Sequence, residues 1–418
     1  MLLYILREMR IEMKRKGNLT LFIISTTINR FGDSIDLIAF MWLTYEVTNS
    51  TLMTGIVVAF NALPSIILGL VSGLMADHWD KKKLILIGDF ARGIIVTIIV
   101  ILYKVHLLTI VTICIATIAI SVFEIISTPA RRSILPLIVE ENRIRKSNSK
   151  LVTGKTIAQI VGLGIAGSII SLLGVSSAVM IDALTFFISF LMIWFMKFKD
   201  SSNSINKEYS SVLFEIKESM NYLVKEKLIF KTTIMATFIN IFIGCFNVLV
   251  LSYCKNILHS NSQGQSLINT INVIGILTIS LYFTYSKRKI KSESIIDLGF
   301  VGIGLSFILF GISKNIMISG VIAFVYGIAT GCITVTSVTV LQQNVPINHM
   351  GKIMSVVSLI NESSIPIGNI IVAILLEKFT ASQTFLVYGI IILSFLTLFI
   401  YFANHFFESR ENKLEVDN

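Results

Sequence analysis

The chain has 418 residues, of which 54% are hydrophobic and 14% charged, and its mean hydropathy is +0.81. Soluble domains carry about a quarter charged residues, which excludes an ordinary water-soluble enzyme and points to a membrane protein. The net charge of +10 would suit a nucleic-acid binder if it lay on a polar domain; here Lys and Arg stand in short loops between apolar runs, and no nucleic-acid partner is expected.

About 20 apolar residues cross a bilayer as a helix, and twelve such runs follow one another. They cover residues 20–45, 52–74, 84–103, 107–128, 151–174, 176–196, 229–254, 264–286, 294–313, 315–340, 353–376 and 381–404. The eighth, around Ser266–Tyr285, is the least apolar. Met1–Asn18 is basic and has no small-residue cleavage site before the first run, so no cleavable signal peptide is expected. The expected organisation is a cytoplasmic segment 1–19, a six-helix bundle 20–196, a central cytoplasmic loop 197–228, a second six-helix bundle 229–404 and a cytoplasmic tail 405–418.

Of the 35 Lys and Arg residues, 28 fall on the side of the N-terminus if every run crosses. Four (Lys104, Lys255, Lys314 and Lys378) fall on the other side, and three (Arg30, Arg92 and Lys155) lie within runs. By the positive-inside rule both termini are cytoplasmic.

The first run holds Asn29, Arg30, Asp33 and Asp36 in one short stretch. Helical spacing puts Asn29, Asp33, Asp36 and Phe40 on one stripe and lets Arg30 reach Asp33 at i+3. A charge inside the bilayer is a candidate for function because its burial is costly without a partner or water. An Arg30–Asp33 pair could serve only to neutralise the helix, but Asp36 has no local partner and reads as a carboxylate that titrates or meets a cation.

Between the second and third runs stands Gly73-Leu-Met-Ala-Asp-His-Trp-Asp-Lys-Lys-Lys83, with Asp77, Asp80, Lys81 and Lys82 at the membrane surface. Asp89 and Arg92, partners at i,i+3, open the third run and read as gate structure. Glu124 near the end of the fourth run is expected to pair with Arg92, Arg131 or Arg132. The fifth run carries Gly162, Gly164 and Gly167, small residues that permit close helix packing. Asp182 is an isolated carboxylate in the sixth and could equally cap or bridge to a neighbouring helix.

The central loop contains SSNSINKEYSS and then an amphipathic pattern over 212–227, which reads as a solvated linker with a surface helix. The eleventh run includes Asn361, Glu362 and a helix-bending Pro366, a cavity-lining pattern. Most of the 28 Phe, 11 Tyr and three Trp residues are expected to fill packing and lipid faces.

Enzyme motifs fail. Gly154-Lys-Thr156 lacks the first glycine of a phosphate loop, and Ser147-Asn-Ser-Lys150 has no companion motif. The five histidines form no metal pair, and the four cysteines form no CxxC. No metal and no cofactor is expected.

Gly73, Asp77, Lys81 and Lys82 match the loop signature of the major facilitator superfamily, which the chain resembles over essentially its whole length. His78 replaces the usual basic residue, and Asp80 replaces a glycine, as in a drug-efflux branch of macrolide exporters and enterobactin-type siderophore exporters. Asp89-x-x-Arg92, Pro129-Ala-Arg-Arg-x-x-Leu-Pro136 and Leu341-Gln-x-x-x-Pro346 with Gly351-Lys352 are similar to that branch too. Two departures stand out. Leu163 occupies the place of a proline common in antiporters, and Tyr285-Ser-Lys-Arg-Lys289, the second-half loop, lacks the Gly and Asp.

The resemblance implies an all-α membrane protein of twelve transmembrane helices in two pseudo-symmetric six-helix bundles. It implies a monomeric exporter in the cell membrane, driven by protons, with an amphipathic small-molecule substrate of the macrolide or siderophore type. Gly73–Lys83, Asp89, Arg92, Glu124, Arg131 and Arg132 would form the inner gate. Asn29, Arg30, Asp33, Asp36, Asp182, Asn361 and Glu362 would serve proton coupling or substrate. A lysophospholipid flippase of the same superfamily and a non-transporting sensor or scaffold are the alternatives.

Overall fold

The structure is a computed structural model. It describes the backbone of residues 2–197, 226–285, 291–345 and 347–416, with side chains over part of these. Twelve helices follow in order: α1 Leu2–Thr48, α2 Thr51–His78, α3 Lys81–Lys104, α4 Ile110–Ile138, α5 Glu141–Leu173, α6 Val175–Phe195, α7 Lys227–Asn256, α8 Asn261–Tyr285, α9 Ser292–Ile312, α10 Ile316–Asn344, α11 Ile347–Lys378 and α12 Ala381–Val416. No strand occurs among the described residues. Ten of the helices are long and apolar enough to cross a membrane. α1 is not one of the ten: Asn29, Arg30, Asp33 and Asp36 interrupt its apolar character.

The helices overrun the apolar runs. α1 begins at Leu2, α4 continues through Pro129 and Arg131 to Ile138, and α12 ends at Val416. Residues 129–138, expected in a loop, are therefore helical, because backbone hydrogen bonding does not stop where the apolar slab ends. The amphipathic segment expected at 212–227 lies, but for its last residues, outside the described residues.

The turns are short. Gly174 alone separates α5 from α6, and its φ of 83° is open to glycine without a steric penalty. Asp80 caps α3, its side chain accepting from the Lys83 N–H at 3.0 Å. Thr109 and Thr112 form a reciprocal capping box at the start of α4.

Two compact units result, Met1–Asn206 and Lys207–Asn418. In the first, α1 packs on α5 and α6, α2 on α4, and α3 on α4 and α6. In the second, α7 packs on α11 and α12, α8 on α10, and α9 on α10 and α12. The second set of pairings repeats the first, so the two units are two copies of one helix arrangement.

The repeat extends to individual residues. Gly88 of α3 lies against Ser127 and Phe123 of α4 where Gly299 of α9 lies against Ile333 and Ala329 of α10. Gly93 meets Phe187 of α6 as Gly304 meets Leu393 of α12. In this register Asp89 corresponds to Phe300, Arg92 to Ile303, Arg131 to Ser337, Ser189 to Phe395 and Asp182 to Tyr388.

Candidate functional site

Asp89 of α3 is fully buried and gathers four helices. Arg131 of α4 donates to both of its carboxylate oxygens. Arg92, one turn along α3, donates to Oδ1 at 3.0 Å, and Ser189 of α6 donates to Oδ2 at 2.6 Å. Asn29 of α1 donates its amide to Oδ1 at 3.4 Å. Around this core Arg131 also donates to Ser25 Oγ of α1 at 3.3 Å and to Ser189 Oγ at 3.2 Å, and the two serine hydroxyls share a hydrogen bond of 2.7 Å. A carboxylate removed from water holds its charge when paired and hydrogen-bonded on all sides, and Asp89 meets that condition. The result is an ionic clamp across α1, α3, α4 and α6.

One turn along each helix the chemistry changes. Asn29 gives way to Asp33, Asp89 to Arg92, and Ser189 to Phe186, whose ring lies 4.4 Å beneath the Arg92 guanidinium. Asp36 follows Asp33 at i+3 on α1, and Asp182 comes to α1 from α6. Their helices touch at Gly32, where a Cβ would stand 2.5 Å from Asp182 Oδ1 and 2.9 Å from Thr185 Cβ. Asp182 is buried and lies within 3.4 Å of the Thr185 hydroxyl. Asp36 Oδ1 and Asn29 Oδ1 are buried with no hydrogen-bond partner among the described residues. Three carboxylates thus stand about the contact of α1 with α6.

The expected partners of two residues change. Arg30 makes no ion pair with Asp33 among the described residues. Glu124, expected against Arg92, Arg131 or Arg132, is exposed and makes no ion pair among the described residues. The reason is that Asp89 takes both guanidinia; Glu124 acts on Arg92, Asp33 and Asp36 at longer range. Asp182, which the sequence left as a bridge to an unspecified helix, joins the acids of α1.

Lys82 has a specific contact: its ammonium donates to the carbonyls of Trp194 at 2.9 Å and Met196 at 2.6 Å. These lie at the C-terminus of α6, where cations complement the helix dipole. Asn18 of α1 secures the same end, donating to the Lys197 carbonyl at 2.9 Å and accepting from its N–H at 3.0 Å. Lys81 is half-buried at the first turn of α3. Gly73 and Asp77 end α2, and Arg132 lies in α4, but the side chains of Asp77 and Arg132 fall outside the described residues, as does that of Glu362.

Among the packing glycines Gly162 faces α1, with the Phe31 carbonyl and Ser34 Cβ each 2.8 Å from the position of a Cβ. Gly167 is buried and Gly164 exposed. In the second unit Asn361 of α11 accepts from Thr237 of α7 at 3.0 Å.

Ser25 and Ser189 carry no signal in the sequence, since no local pattern marks a serine two or three helices away as a ligand. The aromatic core of the second unit carries none either. Phe238 of α7 and Phe395 of α12 stack with ring centroids 3.5 Å apart, and Phe300 stacks on Phe395 at 6.3 Å. Tyr388 meets Phe242 edge to face at 5.1 Å, and Phe246 stacks on Tyr326 at 4.2 Å. Where the first unit has Asp89, Ser189 and Asp182, the second therefore has Phe300, Phe395 and Tyr388. No group of His, Cys, Asp or Glu among the described residues is arranged to hold a metal ion.

Residues 22–369 match the Major Facilitator Superfamily. The chain is similar to the staphyloferrin A transporter of Staphylococcus aureus, 23% identical over 92% of this chain and 95% of that one. It is similar to macrolide efflux protein A of Streptococcus pyogenes, 21% identical over 83% of this chain and 86% of that one. The crystal structure of the nucleoside transporter NupG shares the fold, with a TM-score of 0.75 over 92% of this chain and 98% of that one at 14% identity.

Proposed function

The chain belongs to the major facilitator superfamily, and on that premise we propose that it is a proton-coupled exporter of amphipathic, cationic small molecules working by alternating access. It is a multi-pass membrane protein and a transporter, not an enzyme. The observation that carries the finer reading is the group Asp33, Asp36 and Asp182 in the interior of the first unit. Carboxylates crowded at one helix contact exchange protons for cations readily, since either one relieves the crowding of negative charge. A proton gradient can drive this exchange: one charge moved across 100 mV is worth about 2.3 kcal/mol, and a pH unit about 1.4 kcal/mol.

In this reading the proton and the substrate cation compete for the acids of α1 and α6. The Asp89 clamp and the loop from Gly73 to Lys83 close the cytoplasmic side. Both termini lie in the cytoplasm, as the distribution of Lys and Arg supports, and the membrane is the cell membrane. The macrolide exporter among the relatives supports an amphipathic, amine-bearing substrate.

A siderophore is the second reading, favoured by the similarity to the staphyloferrin A transporter over nearly the full length of both chains. One experiment separates the two. Cells with and without the protein are compared for survival on macrolides and lipophilic cations, and their media, with and without iron, by untargeted mass spectrometry. The cation reading expects drug sensitivity on deletion with an unchanged medium. Loss of a metal-chelating metabolite from the medium, with drug survival unchanged, overturns it in favour of the siderophore. Within the transporter, Asp33→Asn and Asp36→Asn, singly and together, are expected to abolish proton-driven efflux; proton-driven efflux intact in the double variant removes these acids from the coupling.

A further inference from the structure

The ionic clamp holds more positive charge than its own carboxylate uses. Asp89 bears one negative charge, and Arg131 alone reaches both of its oxygens while Ser189 and Asn29 complete the shell. Arg92 adds a second guanidinium through a single bond from one terminal nitrogen. It is buried, and its Nε has no hydrogen-bond partner among the described residues. Its guanidinium also lies over the Phe186 ring of α6, 4.4 Å from the centroid. The charged groups in electrostatic reach of it are Asp33 from α1, one turn beyond the Asn29 that bonds Asp89, Glu124 from α4, Asp182 from α6 and Asp89 from its own helix; Arg131 of α4 shares Asp89 with it, and Arg30 lies in reach of Asp33 on α1.

We propose that Arg92 is the positioning residue that transmits the charge of the α1–α6 carboxylates to the Asp89 clamp, a link that rests on the proton-coupled reading above. Two features give it leverage. Arg92 stands one helical turn from Asp89 on α3, over the Phe186 ring of α6 and at the level of Asp33, which is one turn beyond the Asn29 that bonds Asp89, so a shift toward Asp33 weakens its hold on Asp89. The contact at Gly32 leaves no slack between α1 and α6, so a change at Asp182 is felt on both helices.

With the acids charged, Arg92 is drawn toward Asp33 and Asp182 and leaves Asp89 to Arg131. With the acids neutralised by protons or satisfied by a bound cation, Arg92 returns to Asp89 and tightens α1, α3, α4 and α6 together. The second unit has no such device: Arg92 corresponds to Ile303, fully buried, Asp89 to Phe300 and Arg131 to Ser337. The coupling charge therefore moves in one copy of the repeat while the other is locked by stacked rings.

Hydrogen exchange of the full-length protein in detergent micelles, followed from acid to neutral pH without substrate, tests the link. In the wild type, the protection of the backbone around Asp89 and Arg131, taken as exchange corrected for its intrinsic rise with pH, is expected to change with pH. Arg92→Gln is expected to abolish that pH dependence, and Arg92→Lys, which keeps the charge, to restore most of it. Asp182→Asn reads the same link from the other end and is expected to flatten the profile even if Arg92→Gln does not fold.

A wild-type pH profile in Arg92→Gln overturns the proposal, and so does a wild-type profile in Asp182→Asn when Arg92→Gln yields no folded protein. Proton-driven efflux that survives Asp33→Asn with Asp36→Asn bears on the proton-coupled reading alone, since the exchange experiment needs neither substrate nor gradient.

Discussion

Asp89 of α3 and Phe300 of α9 occupy the same position in two copies of one helix arrangement, the first bound by two arginines, the second stacked on Phe395 and Phe238. Both are fully buried. The same place in the fold is thus stabilised by directional charge pairing in one unit and by apolar contact in the other, and the two respond differently to substitution.

Asp89→Asn is expected to cost about 3–5 kcal/mol, because it leaves two guanidinia in a buried site without a counter-charge. Arg131→Gln is expected to cost less, since Arg92 remains bonded to Asp89. Phe300→Ala is expected to cost about 3–5 kcal/mol through the cavity it opens while leaving the pH dependence of efflux as in the wild type. The midpoint of thermal unfolding in detergent orders the three. Shifts for Asp89→Asn no larger than those of a surface variant would show that the clamp contributes little.

Gly32 sets the distance between α1 and α6. Gly32→Ala places a Cβ 2.5 Å from Asp182 Oδ1 and 2.9 Å from Thr185 Cβ, and a well-packed interface forced apart in this way loses about 1–3 kcal/mol. Trimming the opposing side chain with Thr185→Gly is expected to recover part of the loss, as contacting residues do not add. A double variant as unstable as the sum of its single changes would disprove the contact as the cause.

Lys82 and Asn18 hold the C-terminal end of α6 from α3 and α1. Lys82→Ala and Asn18→Ala are each expected to cost about 1 kcal/mol, the net value of a hydrogen bond to a helix end. Asp80→Ala is expected to lose about 1 kcal/mol through the missing cap of α3, whereas Asp80→Asn keeps the cap and is expected to be near neutral. Faster hydrogen exchange at 191–197 is the local signature expected of Lys82→Ala and Asn18→Ala; exchange there unchanged in both argues against the anchor.

Much of the architecture was legible in order along the chain. The twelve apolar runs mark the twelve helices because transfer into lipid is a sum over neighbouring residues, and a window of residues carries it. Helix ends were less legible: α4 and α12 run past their apolar runs, since the backbone ladder continues wherever propensity allows. Asn29, Asp33 and Asp36 could be placed on one stripe from spacing alone, and so could the Asp89–Arg92 pair. Arg131 was expected in the inner gate, but its pairing with Asp89 was not legible, and of the three partners expected for Glu124, Arg92 and Arg131 are taken by Asp89.

What the sequence determined by itself, then, is the class of molecule, the number and order of its helices and the charges that stand inside them, because each of these depends on residues adjacent in the chain. The tertiary structure decided which charges meet. Asp182 joins Asp33 and Asp36, Arg131 reaches Asp89 from the neighbouring helix, and an ionic core in one unit answers an aromatic core in the other. Those pairings depend on the register of one helix against another, and register is set by close contacts such as Gly32 on α6 and Gly88 on α4, between residues far apart in the chain that no local pattern relates.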